Sequence, residues 1–311
     1  MRLTNMRVVL AAGTVALATA AAAAMLAGAS AAYAGQGLPA GSAQVVQPQT
    51  PRPGDLYFVS GEYIMRVPVA GGKPQRVVKA GQVSVTGMAI AGDRLFWVTQ
   101  AGEGGSLRYV SLHGAPVAHT LVGNLSFSMG LVAADGWLYW ADENAIGRVR
   151  PDGAQLDRRF IAPPQEYGGG VADGLGTDGQ HLFFSRCQDN EIGRVDTSGR
   201  RLDLSFIKLP AKSCPQALAV GNNHVYWAEL GSYVGRATLQ GTGASDTWLN
   251  IHSDQGPFYV AADDDNVYWD WGGVAESPMH IGTAQVDRAG FHASILTGQG
   301  AFLLTSPGAN S

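Results

Sequence analysis

The sequence predicts an all-β protein: a six-bladed β-propeller of four-stranded antiparallel blades, with a C-terminal strand closing blade 1. Three observations lead there. First, a phrase is written twice. "LYWADENAIGRVRPDGAQLDRRFI" occupies 138–161 and "LFFSRCQDNEIGRVDTSGRRLDLSFI" occupies 182–207. Second, the aromatic pair that opens the phrase recurs six times, beginning at Leu56, Leu95, Leu138, Leu182, Val225 and Val267, with spacings of 39, 43, 44, 43 and 42 residues. A fixed period of this size marks a repeat architecture. Third, the composition suits many short strands and tight turns: 42 glycines in 311 residues, with only 15% charged residues.

Each repeat contains the same elements in the same order. An apolar run comes first, as in "GMAIA", "GLVAA", "GLGT", "ALAV" and "YVAA". A two-residue turn follows ("GD", "DG", "DG", "NN", "DD"), rich in residues that tolerate the positive φ of hairpin turns. The aromatic strand is next, then a variable loop, then "I-x-R-V" or a relative. A further glycine turn, at Gly71, Gly114, Gly153, Gly199, Gly241 and Gly290, leads to an outer strand. Four such strands repeated six times describe a propeller. Blade 1, opening at "GDLYF", lacks the apolar first strand, and "GAFLLTSPGAN" at the C-terminus supplies one. Ring closure of this kind removes exposed sheet edges.

The propeller is expected over 54–311. Residues 1–34 read as a signal peptide: a basic start, an Ala-rich apolar run and a small-x-small site ending at Ala34. An uncleaved anchor is the alternative, which would make the chain a tethered ectodomain. With cleavage the protein is secreted and has no stable membrane insertion. Residues 35–53, rich in Gly, Pro and Gln, read as a flexible linker. After cleavage 19 Lys and Arg remain against 25 Asp and Glu, a formal charge of 19 − 25 = −6. Nucleic acid is therefore not an expected partner, since phosphates require a concentrated basic face.

"LYWADENAIGRVRPDG" resembles the YWTD, or low-density-lipoprotein-receptor class B, repeat. Blade 3 carries the likeness best, in Tyr139, Trp140, Ala141, Asp142 and Arg148, and blade 5 offers Glu229 for the acid. Phe184-Ser185-Arg186 and Trp97-Val98-Thr99 depart from it. The resemblance implies a six-bladed ring and extracellular binding through the propeller faces. NHL and lactonase-like propellers are more remotely similar, and some of those are enzymes.

With a three-residue loop at 143–145, Trp140 would face Arg148 across the hairpin, and the same count pairs Phe58 with Arg66. Phe184 with Arg194 and Trp227 with Arg236 are the equivalents. These pairs are expected to be structural, since they recur in several blades, and Gly147, Gly193 and Gly235 leave room for a neighbouring backbone or ring. Cys187 follows the second strand of blade 4, and Cys214 lies in the connection to blade 5. Both connections leave an antiparallel blade on one face, so a disulfide is expected.

No catalytic residue, metal site or cofactor is expected. The aligned positions around the channel are Thr86, Met129, Asp173, Gln216, Phe258 and Ala301, which include one carboxylate. A Ca²⁺ site wants six or more oxygens. Glu166 and Asp254 could assist Asp173. His181 and His224, at equivalent positions, read as turn residues. The run Asp263-Asp264-Asp265-Asn266 lacks the alternation and glycine of a Ca²⁺ loop. One face, which carries the loops between second and third strands and the blade connections, presents Tyr63, Phe127, Tyr167, Phe258 and Trp271. The expected function is binding or scaffolding for an extracellular protein, peptide or cell-wall glycan through Tyr167, Asp173, Phe258 and Trp271. The alternative is a lactonase- or lyase-like enzyme at the channel mouth.

Overall fold

The computed structural model describes residues 55–69, 72–81, 84–100, 104–126, 128–142, 145–162, 174–229, 231–253, 255–272 and 279–297. The segments expected to be a signal peptide (1–34), a linker (35–53) and a closing strand (299–311), together with Phe127, Glu166, Tyr167, Asp173, Asp254 and Ala301, lie outside them.

The described chain forms six antiparallel sheets, each a simple meander. Blade 2 contains Ser84–Ala91, Arg94–Gln100, Gly105–Ser111 and His119–Leu125. Blade 3 contains Ser128–Ala134, Trp137–Asp142, Ala145–Val149 and Asp157–Ile161. Blade 4 contains Leu175–Thr177, His181–Arg186, Glu191–Asp196 and Asp203–Lys208. Blade 5 contains Pro215–Gly221, His224–Glu229, Tyr233–Thr238 and Ser245–Asn250, and blade 6 contains Val260–Ala262, Asn266–Gly272, Met279–Gln285 and His292–Thr297. Blade 1 shows Asp55–Ser60, Tyr63–Pro68 and Gln75–Lys79, in the order of second, third and fourth strands. Its inner strand position, next to Asp55–Ser60, is not filled by a described residue.

The repeated phrase builds the core. Successive side chains of a strand point to opposite faces, so the aromatic strand feeds two blade interfaces at once. Leu138 and Trp140 pack with Ala89, Phe96 and Val98 of blade 2. Tyr139 and Ala141 pack with Leu182 and Phe184 of blade 4. The pattern repeats around the ring: blades 1 and 2 share one cluster, blades 4 and 5 another, and blades 5 and 6 a third. Blades 6 and 1 share the last, in which Leu56 and Phe58 meet Ala261 and Tyr268. The ring therefore closes on itself through side-chain packing. Trp97, Trp140, Trp227 and Trp269 are among the largest fully buried side chains, and a buried aromatic of this size removes the most apolar area per residue from water.

Inner strands touch backbone to backbone. A Cβ on Gly87 would come within 2.7 Å of the Gly130 backbone, on Gly130 within 2.8 Å of Leu175 N, and on Gly174 within 2.6 Å of Gln216 O. These glycines sit at or next to the start of the apolar run in blades 2, 3 and 4. Only a residue without a side chain permits that approach. Thr86 and Ser185 reinforce it by donating to Ser128 O and Gln216 O of the following blade at 2.6 Å each.

The expected aromatic–Arg register is corrected by one residue. In blade 3 the third strand resumes at Ala145, so Trp140 faces Gly147 and Arg148 faces Tyr139. Arg66 likewise faces Tyr57, Arg194 faces Phe183 and Arg236 faces Tyr226, while Phe58, Phe184 and Trp227 face Met65, Gly193 and Gly235. A one-residue slip exchanges the faces of a strand. The second aromatic ring thus lies over the glycine directly opposite, and a Cβ at Gly147, Gly193 or Gly235 would penetrate it. The arginines lie on the other face and reach outward over the fourth strand. Arg148 and Arg194 lie 3.7 Å from the ring centroids of Phe160 and Phe206, and Arg236 lies 4.6 Å from that of Trp248. Arg194 and Arg236 then donate to Leu239 O and Val286 O of the following blade. Blade 2 differs: there Arg108 does face Trp97.

Candidate functional site

Second strands end, third strands begin and blade connections run on one face of the ring. Between blades 5 and 6 this face holds an open cleft of about 590 Å³. Blade 5 lines it with Ser232 in the turn before the third strand, Tyr233 at that strand's start and Asn250 at the end of the fourth. The connection to blade 6 adds His252, Ser253 and Gln255, and Trp271 near the end of the second strand of blade 6 forms the aromatic wall.

The connection is held at each step. Asn250 Oδ1 accepts from His252 N at 2.7 Å, which supports His252 in the left-handed region at φ +58°. Ile251 N donates to Ser232 O, tying the segment to blade 5, and Gly272 N donates to Gln255 O, tying it to blade 6. Gly256 follows, at φ +137° and with Trp271 Cα 3.0 Å from where a Cβ would sit. Both the backbone conformation and the close approach require glycine there.

Trp271 is held in turn. It pairs with His280 across the hairpin, and the two rings stack at 4.0 Å with 11° between planes. Trp271 Nε1 donates to Ala293 O at 2.6 Å, and His280 Nδ1 lies 3.1 Å from Ser294 Oγ. Burial lowers the pKa of His280, favouring the neutral imidazole.

Beneath Trp271 lies Asp270, fully buried. Its Oδ1 accepts from Phe258 N at 3.0 Å and Tyr259 N at 2.7 Å, fixing the start of the inner strand. Desolvation pushes its pKa up to about 7, against the opposing effect of those backbone hydrogen bonds. Tyr259 is buried and joins the cluster of blades 1 and 2, with Phe258 and Ala217 packed against it. Side chains of blades 2, 5 and 6 thus meet across the ring. Glu229, also buried, accepts from Cys214 N at 2.7 Å and Trp227 Nε1 at 3.2 Å, and desolvation raises its pKa as well. Both carboxylates are placed to hold backbone or indole and lie away from solvent.

Of the residues expected to form a site, Trp271 lines the cleft. Phe258 stands at the same end of the hairpin, half-buried and turned towards the ring centre. Tyr167 and Asp173 lie outside the described residues. Sequence reasoning missed Ser232, Tyr233, Asn250, His252, Ser253 and Gln255. Tyr233 was detectable: it occupies the repeat position of Tyr63, each pairing with the last residue of its second strand. The polar residues of the connection belong to no repeat and carried no such mark.

Other expectations are settled locally. Cys187 and Cys214 form a disulfide joining the turn after the second strand of blade 4 to the connection into blade 5. His181 Nδ1 lies 2.9 Å from Asp178 Oδ2, and His224 Nδ1 lies 2.6 Å from Asn222 O. Asp263 Oδ1 accepts from Asp265 N and Asn266 N, and Tyr268 donates its hydroxyl to Oδ2, so this carboxylate organises a turn. Among the described residues, no helix is long and apolar enough to cross a membrane.

This geometry defines a six-bladed β-propeller with a cleft between two blades on its loop face. Solved structures agree on the fold. A chain of the nidogen–laminin complex, a propeller of the YWTD type, is similar with a TM-score of 0.64 at 16% identity, covering 81% of this chain and 97% of that one. A TolB protein from Agrobacterium tumefaciens is similar with a TM-score of 0.56 at 13% identity, covering 80% and 91%. A gluconolactonase from Xanthomonas campestris gives 0.52 at 17% identity, covering 68% and 77%. No protein-family model matches the chain, and no curated protein does. The likeness to YWTD and lactonase-like propellers read from the sequence holds at the level of the fold.

Proposed function

We propose that the protein is a secreted binding propeller whose loop face holds an extracellular ligand. The observation that carries this reading is the cleft between blades 5 and 6, where Trp271 is braced by a ring stack and a hydrogen bond beside half a dozen polar side chains. Binding residues are commonly set on loops by a rigid scaffold. Tyr167, Phe258 and Asp173 extend the same face in this reading. Secretion is supported by the disulfide, which persists in oxidising compartments, and by the signal-like segment 1–34.

The enzymatic alternative gains less support. Among the described residues, the cleft lining contains no carboxylate. Asp270 and Glu229 are buried and engaged with their own blades.

The test is retention of material from solubilised cell wall and culture supernatant by immobilised protein. Retention should fall when Trp271 or Tyr167 is replaced by Ala and persist in a His224→Ala variant on the opposite face. Equal retention by all three would sink the assignment of the face. Turnover of lactones by the native protein would favour the enzyme.

A further inference from the structure

We infer that the cleft between blades 5 and 6 is a lectin-like subsite for a neutral saccharide, with Trp271 as the stacking platform. The inference rests on the binding reading above and names its ligand class.

The chemistry of the lining carries it. None of the described lining residues is Asp, Glu, Lys or Arg. A site for an acidic or basic ligand would place an opposite charge there, since charge-assisted hydrogen bonds are the stronger ones. The lining instead offers amides and hydroxyls: Asn250, Gln255, Ser232 and Ser253. An amide presents both donors and an acceptor, and a hydroxyl does the same on one atom. A sugar hydroxyl also donates and accepts at once, so this set matches a polyol rim. Part of the set is already oriented. Asn250 Oδ1 is engaged by His252 N, and Ser253 Oγ accepts from Gln255 N at 3.1 Å. The amide NH2 of Asn250 and the hydroxyl proton of Ser253 remain to address a ligand.

The wall suits the other half of a pyranose. One face of a sugar ring is a patch of C–H groups, which gains from covering a flat apolar surface. Such a platform works only if it is held still, because ordering a free side chain on binding costs affinity. Trp271 is held on one ring face by His280 and at Nε1 by Ala293 O. Its indole nitrogen is thus already satisfied, and the part of the half-buried ring that is not packed against His280 or the cluster of blades 5 and 6 lines the cleft. Tyr233 adds a second aromatic side chain to the lining. The cleft volume of about 590 Å³ lies within the range of small-molecule sites, and its open form admits a ring within a longer chain. A proline-rich peptide, the other ligand that uses aromatic surfaces, docks in aromatic-lined grooves and has few hydroxyls for the amides to bind.

The experiment is a glycan array carrying cello-, chito-, malto- and galacto-oligosaccharides beside sialylated and sulfated glycans and a proline-rich peptide set. Tryptophan-fluorescence titration with the strongest neutral oligosaccharide follows. The native protein should bind neutral oligosaccharides in preference to charged ones. Trp271→Ala and Asn250→Ala should each weaken binding roughly tenfold or more, with little change in thermal midpoint for Asn250→Ala. Tyr233→Ser provides a second aromatic variant should Trp271→Ala fold poorly. His224→Ala should bind as native. No binding to any neutral oligosaccharide, a preference for charged glycans or the peptide, or binding unchanged in the Asn250 and Tyr233 variants would each overturn the inference. If the wall pull-down still shows loop-face retention of a protein in that event, the binding reading stands and only the ligand class falls. If nothing is retained on that face, both fall.

Discussion

Two residues test the interior most directly. Gly147 lies under the Trp140 ring, and both are enclosed. Gly147→Ala forces a methyl group into that ring, so a loss of about 1–3 kcal/mol in denaturant unfolding is expected from overpacking. Trp140→Ala empties the same space, and about 3–5 kcal/mol is expected. Equal stability of Gly147→Ala and native protein would contradict the observed register. Asp270 gives a pH dependence. Its folded pKa stands at about 7, above the ordinary carboxyl value of 3.8. Between these values the folded protein keeps a proton that the unfolded chain releases. Stability from this group is therefore fully present below about pH 3.8 and lost as pH rises through 7, by up to about 1.4 kcal/mol per pH unit. Asp270→Asn keeps an acceptor for Phe258 N and Tyr259 N but cannot ionise. Unfolding curves at pH 5 and pH 8 should show the variant gaining on the native protein at the higher pH. An identical pH dependence in both would mean that Asp270 does not titrate in this window.

At the scale of elements, the hairpin and the blade connection matter most. The slip between expected and observed aromatic–Arg register came from one loop residue. Alternation alone says which residues share a face of one strand and leaves open which residue stands opposite. Turn length decides that, and in blade 3 the strand resumes one residue sooner than the count assumed. The disulfide acts on a connection. Cys187 and Cys214 are separated by 27 residues, and closing a loop of that size restricts the unfolded chain by about 3–4 kcal/mol in the chain-entropy model. A Cys187→Ser, Cys214→Ser double variant should lose stability of that order. Thiol titration of the denatured, unreduced native protein should find no free thiol; two reactive thiols per chain would refute the bond under native conditions.

At the scale of the molecule, the question is closure. Blades 6 and 1 already share a packed cluster, yet the described sheet of blade 1 has three strands, with Asp55–Ser60 on its inner edge. Residues 299–311 are expected to add the fourth. Their removal should expose a strand edge and the inner side of blade 1, and it should lower the melting temperature well beyond the effect of trimming a loose tail. A truncated chain that melts within about a degree or two of the full one, less than 1 kcal/mol for a domain of this size, would refute closure by the C-terminus.

The repeat period, the strand order, the turn residues and the disulfide partners were legible in the sequence by itself. Each follows from short-range chemistry repeated along the chain: alternation, turn-forming residues and two cysteines at connections on one face. Trp271 was legible as an aromatic of this face, though it was read as a loop residue and stands near the end of the second strand of blade 6. Only the tertiary structure decided which residues stand beside it. Asn250, His252 and Gln255 come from a different blade and from a connection that repeats nowhere else, so no periodicity marks them. Phe258 shows the converse. Its position at a strand start suggested exposure at the channel mouth; it is half-buried there, partly covered by the cluster of blades 1 and 2. Burial of an apolar ring is settled by what lies opposite it across the ring of blades, and that neighbour is far away in the chain.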